Sequence, residues 1–497
     1  VQIGTKENQV VIDCTTINIW EYKDILEDST ILYILANAKF DIQFFFKHNI
    51  ILSKVWDVML AEKIRYLGYP KGSFHADLKT LEYKYLNKYM DKTVRGKITK
   101  VGLTEEVIVY AANDVVDLED LMNAQIKALE KEDLVKAVQL ENRFVLPLAY
   151  MEWCGVKLDV EKWKAKMVKD AKRLKVALTK LNNWVVKHYG NDSRFTKVDL
   201  QGDLFSGFNT DPQCTINWNS AAQVIPLFKA IGINTSTIDS KTKKLKDSVD
   251  AKLLEPQAKD FEILPIYLDY KEAQKVCSTY GQNWLDQINP ETGRVYTKFN
   301  QLGTNTARIS SGGKDKNAKI EYVNFLNLPA DPETRSCFIA EKGNSWISID
   351  YSGQESFIMA SISNDKALIH ELMEGSGDLH SLTAYMSYPD QIPRDTKITE
   401  IKEKYHHLRQ LAKKIEFGFN YGGDFNTIHR NLGISIEEAK KIYENYMSGF
   451  SGLAKYQEYC RKIVMEKGYI LLNPISKYRA HIYDFESLRS IQEKMQD

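Results

Sequence analysis

Apolar and polar positions change their period along this chain, and the changes mark its regions. From residue 1 to about 130, short β-type runs such as Gln9-Val-Val-Ile-Asp13 and Ile31-Leu-Tyr-Ile-Leu35 alternate with stretches of helical spacing. That alternation predicts an α/β domain. From about 131 to 285 the pattern is mostly helical. Within it, Trp163, Met167, Leu174, Leu178, Leu181 and Val185 predict one apolar face on a long helix between Glu161 and Gly190. From about 286 onward strand-like and helical stretches mix, which predicts α+β architecture. There, Ser345-Trp-Ile-Ser-Ile-Asp350 predicts a strand ending in a carboxylate, with a helix after it. No internal repeat stands out, no apolar run approaches the ~20 residues that span a bilayer, and the N-terminus does not resemble a signal peptide.

Composition narrows the function classes. A chain of 497 residues has room for several buried cores, and the length suggests about three domains. Its 67 Lys and Arg nearly balance 66 Asp and Glu, so no global positive field is present. Any nucleic-acid binding must rest on local patches. One such patch is the polar face of the Glu161–Gly190 stretch, with nine Lys or Arg against two acidic residues; another is Lys241-Thr-Lys-Lys-Leu-Lys246. Either could be a solvated surface or a face that neutralises phosphates without reading sequence. The six cysteines form no Cys-x-x-Cys pair, which argues for reduced thiols in a cytoplasm and against a zinc site.

The densest chemistry lies in Arg409-Gln-Leu-Ala-Lys413-Lys-Ile-Glu-Phe417-Gly-Phe-Asn-Tyr421-Gly422. Four-residue steps on a helix form one slowly drifting stripe. Two cations at one end can grip a triphosphate, and two aromatics at the other offer flat faces to a sugar and base. Upstream, Asp350 stands where a strand-end carboxylate could hold a divalent cation, while Ser352-x-x-Glu355 is equally a capping box. Between these segments lies Gly377-Asp-Leu-His380-Ser-Leu-Thr-Ala384. Further upstream runs Gln301-Leu-Gly-Thr304-Asn-Thr306-Ala-Arg308, continuing to Asn327 and Arg335. In the N-terminal region, Asn37-Ala-Lys-Phe40-Asp41 and Tyr110-Ala-Ala-Asn-Asp114 each set a carboxylate beside an aromatic; Asp41 could also cap a helix from Ile42 to Lys47.

These motifs, in this order, resemble the family A DNA polymerases, from about residue 140 to 480. The resemblance implies a right-hand polymerase (thumb, palm, fingers) after an RNase H-like 3′–5′ exonuclease domain. The expected divisions are exonuclease 1–130, thumb 131–285, palm 286–380, fingers 381–450, and 451–497 returning toward an incomplete palm. It makes Asp350 a ligand of both catalytic metals and Glu355, beside Tyr351, the block to a ribose 2′-hydroxyl. His380, Arg409 and Lys413 contact the phosphates, and Phe417 and Tyr421 shape the sugar and base pocket. Thr304, Thr306, Arg308, Asn327 and Arg335 form the primer-template surface, with Ala307 in place of the usual glycine. In the exonuclease, Asp41 and Asp114 hold metal and Tyr110 orients the attacking water. Two Mg²⁺ per active site are implied, with Mn²⁺ as a substitute; dNTPs and primer-template DNA are the partners.

The family also places an Asp-x-Glu on a strand before the one beginning at Val1, and a His-Asp-Glu turn well beyond Tyr421. Asp117-x-Glu119 is expected inside the third exonuclease motif's helix, and Asp484-Phe-Glu486 to be a surface turn, so neither stands in. Both ends of the chain are therefore expected to be cut, with each metal cage incomplete. The leading expectation is templated DNA synthesis with proofreading, in a bacterial or phage-infected cytoplasm. The alternatives are a single-subunit RNA polymerase, and a primer-template-binding part of a split or degenerate polymerase completed by a second polypeptide.

Overall fold

Strand-forming runs in the first sixty residues are short, and each finds one partner. Gln2–Gly4 pairs antiparallel with Gln9–Val11. Tyr33–Leu35 pairs parallel with Val55–Asp57, and the helix Ala38–Lys47 makes the crossover that a parallel pair requires. The computed structural model describes residues 1–70, 72–89, 102–198, 211–239, 244–315, 320–420 and 422–482, without the side chains of Phe417 and Asn420. Asp41 does not cap its helix: it lies inside Ala38–Lys47, whose N-cap is Asn37.

The chain forms two compact units. One comprises residues 1–155, 297–326 and 347 onward; the other comprises 156–296 and 327–346. In the first, the helices Val58–Arg65, Leu118–Lys131 and Val135–Cys154 close over the strands. They bury Val58, Ile64, Leu121, Leu129 and Val138 in one core with Ile42 and Ile50. The hairpin Tyr469–Asn473/Tyr478–His481 adds Tyr478 and Ala480 to that core. Its entry depends on a glycine. Gly68 has φ +95°, and a Cβ there would lie 2.1 Å from the His481 carbonyl oxygen.

Two buried aspartates tie this unit together in the same way. Asp57 accepts from Met59 and Leu60 N–H at 2.9 and 3.1 Å and from Ala38 N–H at 2.9 Å. It thus serves the first turns of two helices. Asp365 repeats the device in the C-terminal helices. It accepts from Ala367 and Leu368 N–H, both at 3.1 Å, and from Gly452 and Leu453 N–H at 2.8 and 3.1 Å. Each N-terminus would otherwise carry unpaired donors away from water. Asp365→Ala is expected to cost about 2–4 kcal/mol, two helix caps at once. Urea unfolding checks this: a loss under about 1 kcal/mol would mean that water or a neighbour replaces the carboxylate.

The C-terminal helices Leu379–Ser387, His406–Asn420, Phe425–Leu432 and Ile436–Gly449 share a second core around Leu382, Ala412, Ile415, Phe419 and Tyr446.

The other unit is built on the helix Val160–Tyr189, where the expected long amphipathic helix appears. Leu181 and Val185 are fully buried in a core shared with the helix Ile263–Thr279, and Trp163 is fully buried against Trp284 and Phe338. Its basic face carries one exception. Lys166 is buried, paired with Asp170 at 2.5 Å and seated over the Trp163 ring. A buried ammonium without that carboxylate would be costly. The antiparallel strands Arg294–Val295, Val156–Leu158 and Phe338–Ile339 form the unit's three-stranded sheet. Of the Lys241–Lys246 cluster, residues 241–243 lie outside the described residues, and Lys246 pairs with Asp239 at 2.8 Å. Among the described residues, no helix is long and apolar enough to cross a membrane.

Candidate active sites

The helix His406–Asn420 owes its orientation to Leu408, Ala412, Ile415 and Phe419, each at most 2% exposed. That stripe recurs at helical spacing and anchors the helix to the core. Arg409 and Lys413 lie beside it. Arg409 is only partly exposed, and its Nε and Nη2 donate to the two Asp378 oxygens at 3.0 and 2.9 Å. Asp378 is also the N-cap of Leu379–Ser387, accepting from Ser381 N–H and Oγ–H. Burial acts to raise the Asp378 pKa, but the hydrogen bonds from Arg409 and Ser381 outweigh it and hold the carboxyl below its ordinary range. His380, in the first turn of the same helix, pairs through Nδ1 with the buried carboxylate of Glu416 at 2.5 Å. Lys413 is exposed. The Phe417 side chain and Tyr421 lie outside the described residues.

Asp378 and Glu416 are the residues that motif reading missed. Asp378 stands two positions before His380, where an N-cap aspartate is a common local signal. Nothing local marks Glu416.

The Asp350 segment departs from expectation. Residues 344–350 form no strand, and Ile347 and Ile349 are 79% and 87% exposed. A strand needs a neighbour for its hydrogen bonds, and among the described residues none lies alongside. The capping box is also not formed. Gly353, at φ +65°, is the N-cap of the helix Gln354–Ser363, and no side chain caps it. Asp350 and Tyr351 are exposed, and among the described residues Asp350 makes no hydrogen bond or ion pair. Glu355, in the first turn, pairs with Arg308 at 3.2 Å. Such an exposed pair is worth about 0.2–1 kcal/mol.

Arg308 is set by a tight turn. Its N–H donates to Thr304 Oγ1 at 3.0 Å, and Thr304 Oγ1 lies 3.1 Å from Thr306 Oγ1. Ala307 holds φ +61° in this turn, a conformation that suits glycine better. Ala307→Gly is therefore expected to raise stability by about 0.5–1 kcal/mol, read as a shift in thermal midpoint with extension kinetics unchanged. In the other unit, the Tyr280 hydroxyl donates to the Asn327 carbonyl, and Arg335 ends the short helix Pro332–Arg335 with Nε 3.4 Å from Pro329 O.

In the N-terminal region Tyr110 and Asp114 sit one turn apart on the helix Glu105–Val116, both half-buried. That helix ends before Asp117, and Glu119 belongs to the next one, so Asp117-x-Glu119 is not inside the third-motif helix. Burial pushes the Asp41 pKa up to about 6, with the nearby Asp57 charge adding to it. Asp41 and Glu119 both line a cavity of about 1010 Å³, together with Ile3, Ile34, Phe44 and His48. The strands Gln2–Gly4 and Tyr33–Leu35 border this cavity, and among the described residues each pairs on one side only. Among the described residues, no three His, Cys, Asp or Glu side chains converge as a metal cage. The donor chemistry still suits Mg²⁺, which takes one or two carboxylates and completes its shell with water and substrate phosphates. Exposed, and without a hydrogen bond or ion pair among the described residues, Asp350 suits that chemistry.

Two family profiles match the chain: one described as DNA polymerase family A over residues 208–496, the other as 3′–5′ exonuclease over residues 1–129. The DNA polymerase of Mycobacterium phage D29 is 25% identical, with 96% of this chain and 74% of that protein covered. DNA polymerase I of Caldicellulosiruptor bescii is 27% identical over 90% of this chain, which spans only 46% of that protein's length. Among solved structures, the polymerase domain of Pol1 from M. smegmatis, in complex with DNA primer-template and dNTP, superposes with a TM-score of 0.73. That match covers 98% of this chain and 76% of the other at 21% identity, a likeness of fold.

Proposed function

The chain belongs to DNA polymerase family A, and on that premise we propose that it extends a DNA primer along a template from dNTPs and trims mispaired 3′ ends with its N-terminal region. The observation that carries the reading is the stripe of Arg409 and Lys413 beside His380 on two packed helices, a cationic face suited to a triphosphate. In this reading Arg409, Lys413 and His380 hold the phosphates. Phe417, Tyr421 and Tyr351 border sugar and base, and Glu355 excludes a ribose 2′-hydroxyl. Arg308, Thr304, Thr306, Asn327 and Arg335 touch primer-template DNA. The exonuclease, thumb, palm and fingers divisions expected from the motifs are part of the same proposal, as is a cytoplasmic site of action.

Polymerases and exonucleases of this family depend on metal, generally Mg²⁺. We place Asp350 at the polymerase ions, and Asp41 and Asp114 at the exonuclease ions, two per site with Mn²⁺ as a substitute. Bound there, the metal supplies Lewis-acid stabilisation of the attacking and leaving oxygens. The chain's own groups do the rest. They orient the primer 3′-hydroxyl toward the α-phosphate, neutralise the departing phosphates through Arg409 and Lys413, and orient water through Tyr110 at the nuclease site.

A second reading is favoured by the cavity between the Gln2–Gly4 and Tyr33–Leu35 strands. A strand from another polypeptide could pair there, so that this chain binds primer-template and is completed in trans. Primer extension with dNTPs and Mg²⁺, alongside binding of the same primer-template, tests both. Stepwise extension that discriminates against ribonucleotides supports the first reading. Tight DNA binding without extension favours the second, and neither binding nor extension sinks both.

A further inference from the structure

The Arg409–Asp378 ion pair and the His380–Glu416 hydrogen bond cross between the helices Leu379–Ser387 and His406–Asn420, and they run in opposite directions. The first helix lends its N-cap Asp378 to Arg409 of the second. The second lends Glu416 to His380 of the first. Arg409 and Glu416 are seven residues apart, two turns or about 10 Å along the axis, so the helices are pinned at two separate points. Leu379, Leu382, Leu408, Ala412 and Ile415 pack in the same core, which gives the brace a rigid backing.

The atoms used in these pairs decide what the cations can still do. Asp378 takes the Nε and Nη2 edge of the guanidinium, and the five donors of that group are arranged in a fixed plane. The Nη1 edge has no hydrogen-bond partner among the described residues, so a phosphate oxygen can bind there without displacing Asp378. Glu416 takes Nδ1 of His380, and in the doubly protonated ring the Nε2–H is the donor that remains for a phosphate oxygen. The carboxylates therefore leave the Nη1 edge of Arg409 and the Nε2 atom of His380 unused.

We propose that Asp378 and Glu416 act as a reciprocal brace that presets Arg409 and His380 for the phosphates of an incoming nucleotide. Both are positioning residues, and neither touches the reacting atoms. The proposal rests on the nucleotide reading of this face. Preorganised donors bind an anion without first paying to order their side chains, which is the advantage the brace confers.

The test measures Kd for inorganic tripolyphosphate and for dATP by calorimetry, on the full chain with primer-template present. Glu416→Gln and Asp378→Asn keep side-chain size, and asparagine still caps the helix. Each is expected to raise both Kd values about three- to tenfold, and to raise KM for dNTP more than it lowers kcat. The two effects should vanish in the right backgrounds: Glu416→Gln adds nothing to His380→Gln, and Asp378→Asn adds nothing to Arg409→Ala. Effects that add in full, alongside a lowered thermal midpoint, would reduce the pairs to fold stability and overturn the proposal. Unchanged Kd in both brace variants, with Arg409→Ala weakened, would overturn the brace and leave the nucleotide reading standing. Arg409→Ala and His380→Gln binding tripolyphosphate like the parent chain would remove that reading, and the brace with it.

Discussion

Asp350→Ala is expected to lower templated extension by about three orders of magnitude while leaving the thermal midpoint within about a degree. The stability half of this expectation follows from its surroundings. Asp350 is exposed, and among the described residues it makes no hydrogen bond or ion pair, so alanine removes no packing and unpairs no donor. The activity half follows from its proposed place at the catalytic ions. Losing transition-state charge stabilisation of several kcal/mol corresponds to about a thousandfold in rate. Primer binding should persist, because Arg308, Thr304 and Thr306 are untouched. The measurement is single-turnover extension beside a DNA-binding titration. A variant that extends at a tenth of the parent rate or better would remove Asp350 from the metal site. Glu355 would then be the next carboxylate to examine, since it stands exposed five residues on, in the first turn of Gln354–Ser363.

What the chain disclosed before its structure divides along a physical line. Features specified by local spacing were legible. The helix Val160–Tyr189 came from apolar residues at helical spacing; Trp163, Leu181 and Val185 of the expected face are buried and Met167, Leu174 and Leu178 half-buried, while Lys166 and Ala177 are buried without having been expected. The Arg409–Lys413 face came from the same arithmetic on His406–Asn420. Features that need a distant partner were not. The run at 345–350 has the alternation of a strand, but a strand forms only where a neighbour satisfies its backbone, and exposed Ile347 and Ile349 report that none does so here among the described residues. The Ser352–Glu355 box lost to Gly353, whose left-handed conformation takes over the helix start. Asp378 and Glu416 reach partners 31 and 36 residues away, beyond any periodicity. Asp57 and Asp365 each look like an ordinary cap in sequence; that each serves a second helix is visible only in three dimensions.

Asp41→Asn is expected to reduce 3′-end hydrolysis by about two to three orders of magnitude, and its pH dependence gives the test a second axis. Burial, reinforced by the Asp57 charge, pushes the Asp41 pKa up to about 6. Below that pH the metal-free carboxyl carries its proton, so at limiting Mg²⁺ hydrolysis by the parent chain should fall as pH drops from 7 through 6 to 5, and more Mg²⁺ should move that fall to lower pH. The residual activity of Asp41→Asn should be flat over that range. Stability must move the other way. The folded-state pKa lies above the ordinary aspartate value of 3.8, so the folded state binds the proton more tightly than the unfolded chain does. Ionising Asp41 therefore costs stability, and the cost appears as pH rises from about 4 and is complete above about 6. At pH 7.5 Asp41→Asn should consequently be more stable than the parent chain, and below pH 4 the difference should disappear. Magnesium should narrow the gap at pH 7.5 by binding the folded parent and leaving the variant unmoved. Hydrolysis that stays level from pH 5 to 8 at limiting Mg²⁺ would show that this half-buried carboxylate is not reserved for a cation, and a variant less stable than the parent at pH 7.5 would show that its setting does not raise its pKa.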